Sequence, residues 1–309
     1  MGTNDMIWGY LVHLGYNMWS DRPVDRPNIG AQPHIRFDES LWNDMVPKMH
    51  DAGVNLVVID LGEAVQYESH PEISVKGAWS RPRLREELGR LRDTGIEPIP
   101  KLNFSTAHDT WLGPYSRMIS TDIYYEVCGD LIAEVSALFD KPRFFHLGYD
   151  EETAGHQRNY LYAVMRQHEL WWHDFEFFRN TVESHGVRPW IWSDYAWNHP
   201  EEFFEKMSKS VLQSNWYYGD TFEEATDERE QVYVKTYDLL EEHGYDQVPT
   251  GSNWSNTVNF QRTVDYCRKR IAPERMKGFL HAPWHPTLEA HRDAHLRAIE
   301  EIATAVRGW

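Results

Sequence analysis

Asp51-Ala52-Gly53-Val54-Asn55-Leu56-Val57-Val58-Ile59 takes the chain out of a helix-like segment, through a glycine, and into an apolar run of β-branched residues. A glycine just past a last helical turn can adopt the left-handed conformation that closes a helix. A short apolar run after it reads as a buried strand. The same passage recurs at Asp93-Thr94-Gly95 into Ile96-Glu97-Pro98-Ile99, at Ser184-His185-Gly186 into Trp190-Ile191-Trp192, and at Glu242-His243-Gly244 into Gln247-Val248-Pro249. Helix, glycine and buried strand in repetition are what a parallel sheet with crossover helices requires.

Working outward, strands are expected at about 7–14, 55–62, 97–103, 143–149, 188–193, 211–216, 247–252 and 278–283, each followed by a helix. Apolar stripes at helical spacing support the helices: Leu84, Leu88 and Leu91; Val127, Leu131, Val135 and Leu138; Ile299, Ile302, Ala303 and Val306. Pro82, Pro200 and Pro286 fall near expected helix starts, where a missing N–H costs little. A count of eight units predicts an α/β fold, a closed (β/α)8 TIM barrel forming one catalytic domain over residues 1–309. The alternative, an open doubly wound sheet, lacks a Gly-rich phosphate turn after the first strand. Residues 18–37, rich in Pro and Arg, are expected to form a long first β→α loop on the face where barrels build specificity.

Composition narrows the function. The chain has 309 residues, 41% hydrophobic, with a formal net charge of -17. That charge argues against nucleic acid, whose phosphates are held by clustered Lys and Arg. No apolar run is long enough for a membrane span. The N-terminus shows no secretory signal, so the chain is expected to be cytoplasmic, although a leader already removed would leave no trace. Cys128 and Cys267 are expected to be buried free thiols, and no zinc spacing is present. The 14 tryptophans exceed what a core needs. Some, such as Trp42, Trp171 and Trp172, are expected to pack between helices and barrel; others suit a cleft that stacks on sugar rings.

Barrel active sites lie at the C-terminal ends of the strands. The residues expected there are His13, Asp60, Lys101 and Asn103, with His108 soon after. His146, Asp150, Glu151, Trp192 and Asp194 follow, then Trp216, Tyr217, Tyr218, Trp254, His281 and Trp284. The strongest local signal is Phe144-Phe145-His146-Leu147-Gly148-Tyr149-Asp150-Glu151-Glu152, an apolar strand running into consecutive acids. Acids at a helix N-terminus would complement its dipole. That reading leaves the accompanying histidine, glycine and aromatics without a purpose.

His146-x-Gly148-x-Asp150-Glu151 resembles the His/Asn-x-Gly-x-Asp-Glu signature of the family-20 glycoside hydrolases, the β-N-acetylhexosaminidases. Ile99-Pro100-Lys101-Leu102-Asn103, followed by His108, is similar to that family's Pro-x-x-Asp segment ending in Pro-Gly-His. Families 84 and 123 use a similar acid pair in related barrels. The resemblance runs from about residue 50 to 290. It departs at Tyr149, where a small residue is usual, and at Asn103, where Asp is common. No arginine ends strand one to grip sugar hydroxyls, and His285 and Pro286 follow Trp284 where a glutamate is expected.

The resemblance implies an exo-acting, retaining glycosidase working by substrate-assisted catalysis on an oligosaccharide or small glycoside with a terminal N-acetylhexosamine. No cofactor or metal is implied. Adjacent acids cannot easily straddle a sugar ring, so the substrate's 2-acetamido oxygen would attack C1. Asp150 would orient the acetamido group and Glu151 would serve as acid and then base. One of the two carboxyls is expected to be raised by its neighbour. Trp192, Trp216, Trp254 and Trp284 would wall the pocket, and Tyr217 or Tyr218 would bond the acetamido oxygen. His146 would support the acids or be a satisfied structural histidine. His13, Asp60, Lys101, Asn103 and Asp194 are candidate hydroxyl ligands, with N-acetylgalactosamine slightly favoured over N-acetylglucosamine. The rivals are a metal-dependent barrel hydrolase using some of the 16 histidines, and a non-catalytic sugar-binding barrel.

Overall fold

The structure, a computed structural model, describes residues 6–26 and 28–309. Among the described residues, eight parallel strands alternate with helices: β1 (Ile7–His13), β2 (Leu56–Asp60), β3 (Glu97–Lys101), β4 (Phe144–His146), β5 (Arg188–Trp192), β6 (Leu212–Ser214), β7 (Thr250–Gly251) and β8 (Gly278–His281). The helices are α1 (Glu39–Asp51), α2 (Arg81–Asp93), α3 (Asp122–Leu138), α4 (Glu169–Ser184), α5 (Tyr195–Asn198), α6 (Pro200–Lys206), α7 (Glu228–Glu242), α8 (Asn259–Arg270) and α9 (Arg292–Gly308). The sheet runs β6-β5-β4-β3-β2-β1-β8-β7. Parallel bridges Gln213 to Gln247 and Trp216 to Thr250 join its two ends, so the strands close into the expected (β/α)8 barrel.

The glycine turns take their expected form. Gly53, Gly95, Gly186 and Gly244 all have φ between 73° and 84°. At each, the next N–H reaches back into the last helical turn: Val54 to Met49 O, Ile96 to Leu91 O, Val187 to Val182 O and Tyr245 to Leu240 O. This is the six-to-one bond of a Schellman motif, and the donor is a buried apolar residue every time. A fifth turn has the same bond, Lys141 N to Ser136 O, with Asp140 in the glycine's place at φ 58°.

Several strands are shorter than expected. Pro249 offers no N–H to the ladder, and β7 is confined to Thr250–Gly251. β4 ends at His146 because Gly148 and Tyr149 turn to φ 70° and 74°.

Alternation along the strands sorts the side chains into two layers. Inward-facing Ile7, Leu11, Leu56, Val58, Ile99, Phe144, Trp190, Leu212, Val248 and Leu280 fill the barrel. Outward-facing residues pack beneath the helices, where Trp42, Trp171 and Trp172 also lie. Both cysteines are buried and free. No helix among the described residues is long and apolar enough to cross a membrane.

Candidate active site

Parity decides which strand-end residues reach the barrel axis. Leu56, Val58 and Asp60 share a face, as do Ile99, Lys101 and Asn103, and Phe144, His146 and Gly148. Above the apolar fill, His13, Asp60, Lys101 and His146 form a buried polar tier. Lys101 Nζ donates to Asp60 Oδ2, and His13 Nδ1 lies 3.3 Å from the same oxygen. Burial would raise the Asp60 pKa, but Lys101 and His13 hold it below the usual value. Burial lowers those of His13 and His146. These four residues, expected to bind substrate, lie beneath the pocket and do not line it.

The acid-bearing loop sits on this tier. Gly148 is needed because a Cβ there would overlap the Asn103 side chain. The Asn103 Oδ1 accepts from Tyr149 N at 3.2 Å and Ser105 N at 3.0 Å, and its Nδ2 donates to Asp150 Oδ1 at 2.9 Å. An amide thus stabilises the Asp150 carboxylate where a second carboxylate would repel it. The His108 Nε2 lies 3.3 Å from both Asp150 Oδ2 and Glu151 Oε2, and the His156 Nε2 lies 3.3 Å from Glu151 Oε1. Burial would lower the pKa of His108, yet the two carboxylates raise it to about 10. The imidazolium form of His108 is thus favoured while these carboxyls are ionised. Burial alone would raise the Asp150 pKa, but His108, Lys101 and Asn103 hold it well below the ordinary range.

The rise expected within the acid pair is not found at Asp150; Asp194, beside the pair, is a raised carboxyl. Its pKa is pushed well up by burial and by the charges of Asp150 and Glu151. Its Oδ2 accepts from Glu151 N at 2.8 Å, behind the pocket. Glu152 turns the other way, onto the buried Arg166 guanidinium and Thr106 N at 2.8 Å. Arg166 also donates to Phe104 O at 2.7 Å and Tyr149 OH at 2.6 Å, pinning the loops after β3 and β4 together.

Over Asp150 and Glu151 opens a cavity of about 300 Å³, a volume near the lower bound for ligand pockets. Of the residues expected at the site, Asn103, His108, Asp150, Glu151, Trp216, Tyr218, Trp254 and Trp284 line it. Tyr218 stacks on Trp216 with centroids 5.0 Å apart, and its hydroxyl accepts from Trp284 Nε1 at 2.8 Å. Trp284, at φ 56°, is anchored by Tyr16 OH, which donates to its carbonyl at 2.6 Å.

Two expected site residues face outward. Tyr217 has the opposite parity to Trp216 and Tyr218, and it packs on Phe222 in the helix layer. His281 lies between the inward Leu280 and Ala282, and its Nε2 is 2.9 Å from Glu301 of α9. Trp192 is buried against His146, with ring centroids 4.4 Å apart, below the cavity. Tyr16, expected at the end of strand one, lines the cavity, and the first β→α loop supplies walls that strand ends could not reveal: Met18, Trp19, Arg26, Asn28 and Ile29. The loop after β4 adds His156, Arg158 and Asn159, and His285 completes the rim.

No protein-family model matches the sequence, and no curated protein matches it either. Solved structures do match the fold. The family-20 exo-β-N-acetylglucosaminidase of Vibrio harveyi, in complex with N-acetylglucosamine, superposes with a TM-score of 0.64 at 15% identity, covering 96% of this chain and 54% of its own. The β-N-acetylhexosaminidase of Bacteroides fragilis gives 0.64 at 13%, covering 95% and 65%. Dispersin B gives 0.56 at 14%, covering 87% and 95%. The chain thus resembles family-20 glycoside hydrolases in fold, and it spans about half to two thirds of the first two.

Proposed function

We propose that the chain is a retaining, exo-acting β-N-acetylhexosaminidase that uses the substrate's acetamido group as nucleophile. The carrying observation is the one-sided placement of the acids. Asp150 and Glu151 are the carboxylates lining the cavity among the described residues, and one imidazolium touches both. The other nearby carboxyl, Asp194, lies behind Glu151 and is favoured in its neutral form, which is a poor nucleophile. A nucleophile supplied by the substrate itself fits this arrangement.

In this reading Asp150, kept ionised, stabilises the acetamido N–H as positive charge develops on it. Glu151 protonates the leaving oxygen and then activates water, and His108 holds a proton beside it. Tyr218, whose hydroxyl already accepts from Trp284, keeps its own proton for the acetamido oxygen. Trp216 and Trp284 exclude water. We place N-acetylgalactosamine slightly ahead of N-acetylglucosamine as the terminal sugar, since strand one ends without an arginine to hold the hydroxyls. The test is a proton NMR time course on a nitrophenyl N-acetylhexosaminide beside inhibition by the corresponding thiazoline. First release of the β-anomer and tight competitive inhibition are expected; release of the α-anomer first would end the proposal.

One observation favours a second reading. His108, Asp150 and Glu151 each offer a ligand atom within 4.8 Å of the others, a grouping that could hold a divalent cation. Activity that is lost in EDTA and restored by one divalent ion would select it.

A further inference from the structure

Many arginines in this acidic chain are paired with carboxylates. Arg179 pairs with Glu176 and Glu183, Arg292 with Glu289 and Asp44, and Arg275 with Glu241. With 48 acidic and 31 basic residues, an arginine can readily find a carboxylate. Arg26 and Arg158 form no ion pair among the described residues, and both line the catalytic cavity. The contact of Arg158 at 3.5 Å, with Gly155 O, stays within its own turn.

Their loops are joined. The Arg22 Nε and Ser20 Oγ both donate to Asn159 O at 3.0 Å, and Leu161 N donates to Asp21 Oδ1 at 3.1 Å. The two guanidinium groups therefore belong to one continuous rim. The Arg158 end of that rim lies on the Glu151 side, since His156, two residues before Arg158, is 3.3 Å from Glu151 Oε1; the Arg26 end reaches round toward β8, where Asn28 Nδ2 is 3.1 Å from His291 Nε2. Glu151 faces the leaving group in the proposed mechanism. Trp254, 54% exposed at the same mouth, offers a flat face to a second ring.

Resting on the hydrolase reading above, we infer that the leaving group is an acidic sugar, carrying a carboxylate or sulfate that Arg26 and Arg158 receive. A guanidinium fork presents parallel N–H donors that match either anion. In a chain of net charge -17, an anionic substrate would be repelled at long range. Two free arginines at the entrance supply the local attraction that offsets this.

The experiment compares three disaccharides in which a β-linked N-acetylhexosamine sits on glucose, on glucuronate, or on a sulfated glucose. The wild-type kcat/KM is expected to be about tenfold higher for the charged substrates than for the neutral one, the scale of two charge-assisted contacts at an open mouth. That ratio should shrink with added salt. It should fall about threefold in Arg26→Ala and in Arg158→Ala, and recover in part in Arg158→Lys. Preference for one charged substrate over the other identifies the anion as carboxylate or sulfate. A wild-type ratio near one, or a ratio that both alanine variants preserve, overturns the inference while leaving the hydrolase reading intact. If none of the three is cleaved, the hydrolase reading is what has failed. Calorimetric binding of the same disaccharides to Glu151→Gln then decides the inference. Tighter binding of the charged compounds, lost in the added Arg158→Ala, upholds it, and equal binding overturns it.

Discussion

The two faces of the barrel spend backbone strain differently. On the face where helices turn into strands, left-handed conformations fall on Gly53, Gly95, Gly186 and Gly244, with Asp140 and Lys141 of the fifth turn the side-chain-bearing exceptions among those turns. On the face where strands turn into helices, they fall on glycines such as Gly62 and Gly148 and on loop residues such as Arg117 and His168, but also on Tyr149, Glu151 and Trp284, side chains of the candidate site or its support. A left-handed non-glycine residue costs about 1–2 kcal/mol, and such strain persists only where the surroundings enforce it. Here the enforcement is visible: Asn103 holds Tyr149 N, Asp194 holds Glu151 N, and Tyr16 holds the Trp284 carbonyl. One face is built to be cheap, and the other is braced to hold reactive groups in place.

The sharpest break in this comparison should come from Glu151→Gln. It keeps the bond from Glu151 N to Asp194 but removes the proton donor. Hydrolysis of natural glycosides should fall about 10³-fold or more, near the upper range for acid–base help, while the melting temperature stays within a few degrees of wild type. Nitrophenyl glycosides, which need little protonation, should lose less in the glycosylation step. Equal losses for both substrate types would remove Glu151 from the acid role.

Next in size is the brace itself. Arg166 and Glu152 are buried together at 0% and 4% side-chain exposure, so removing one leaves a buried charge unpaired. Arg166→Met should destabilise the fold by about 3–5 kcal/mol in urea unfolding. Adding Glu152→Gln should recover part of that loss. If the double variant is no better than the single one, the ion pair is not what braces the loop.

Smaller again is a pH effect. The His108 pKa, ordinarily near 6.5, is raised to about 10 by Asp150 and Glu151. The folded protein therefore holds this proton longer than the unfolded chain does, and stability falls as pH rises. The contribution is fully present below about pH 6.5 and lost as pH climbs through about 10. The difference in unfolding free energy between wild type and His108→Gln should shrink across that window. A difference independent of pH would mean that His108 is neutral in the fold.

The comparison also explains what the sequence could tell. Four helix-to-strand turns were legible because glycine marks them; the fifth was not, because Asp140 adopts the same conformation without that mark. The acids and the tryptophans of the second half were legible as strand-end residues. The choice of Tyr218 over Tyr217 was also available. Leu212, Ser214, Trp216 and Tyr218 share one parity, as Leu280, Ala282 and Trp284 do against His281, and alternation alone separates them. The depth of His13, Asp60, Lys101 and His146 was harder to see, because it depends on loops rising above the strand ends. Trp19, Arg26 and Arg158 lie in such loops, where no period constrains a side chain's direction.

The smallest expected effect tests the cheap face on its own terms. Gly95 sits at φ 79°, and a Cβ added there would meet nothing within 4 Å, so Gly95→Ala isolates backbone strain from steric clash. The left-handed alanine costs about 1–2 kcal/mol. Reduced freedom of the unfolded chain offsets about 0.4–1 kcal/mol of it. The net loss should be about 1 kcal/mol in chemical unfolding, with kcat/KM unchanged, because the turn closes α2 at the end of the barrel opposite Asp150. A fall in kcat/KM without a matching fall in stability would show that the two faces are coupled, and that the division of strain between them is not a division of labour.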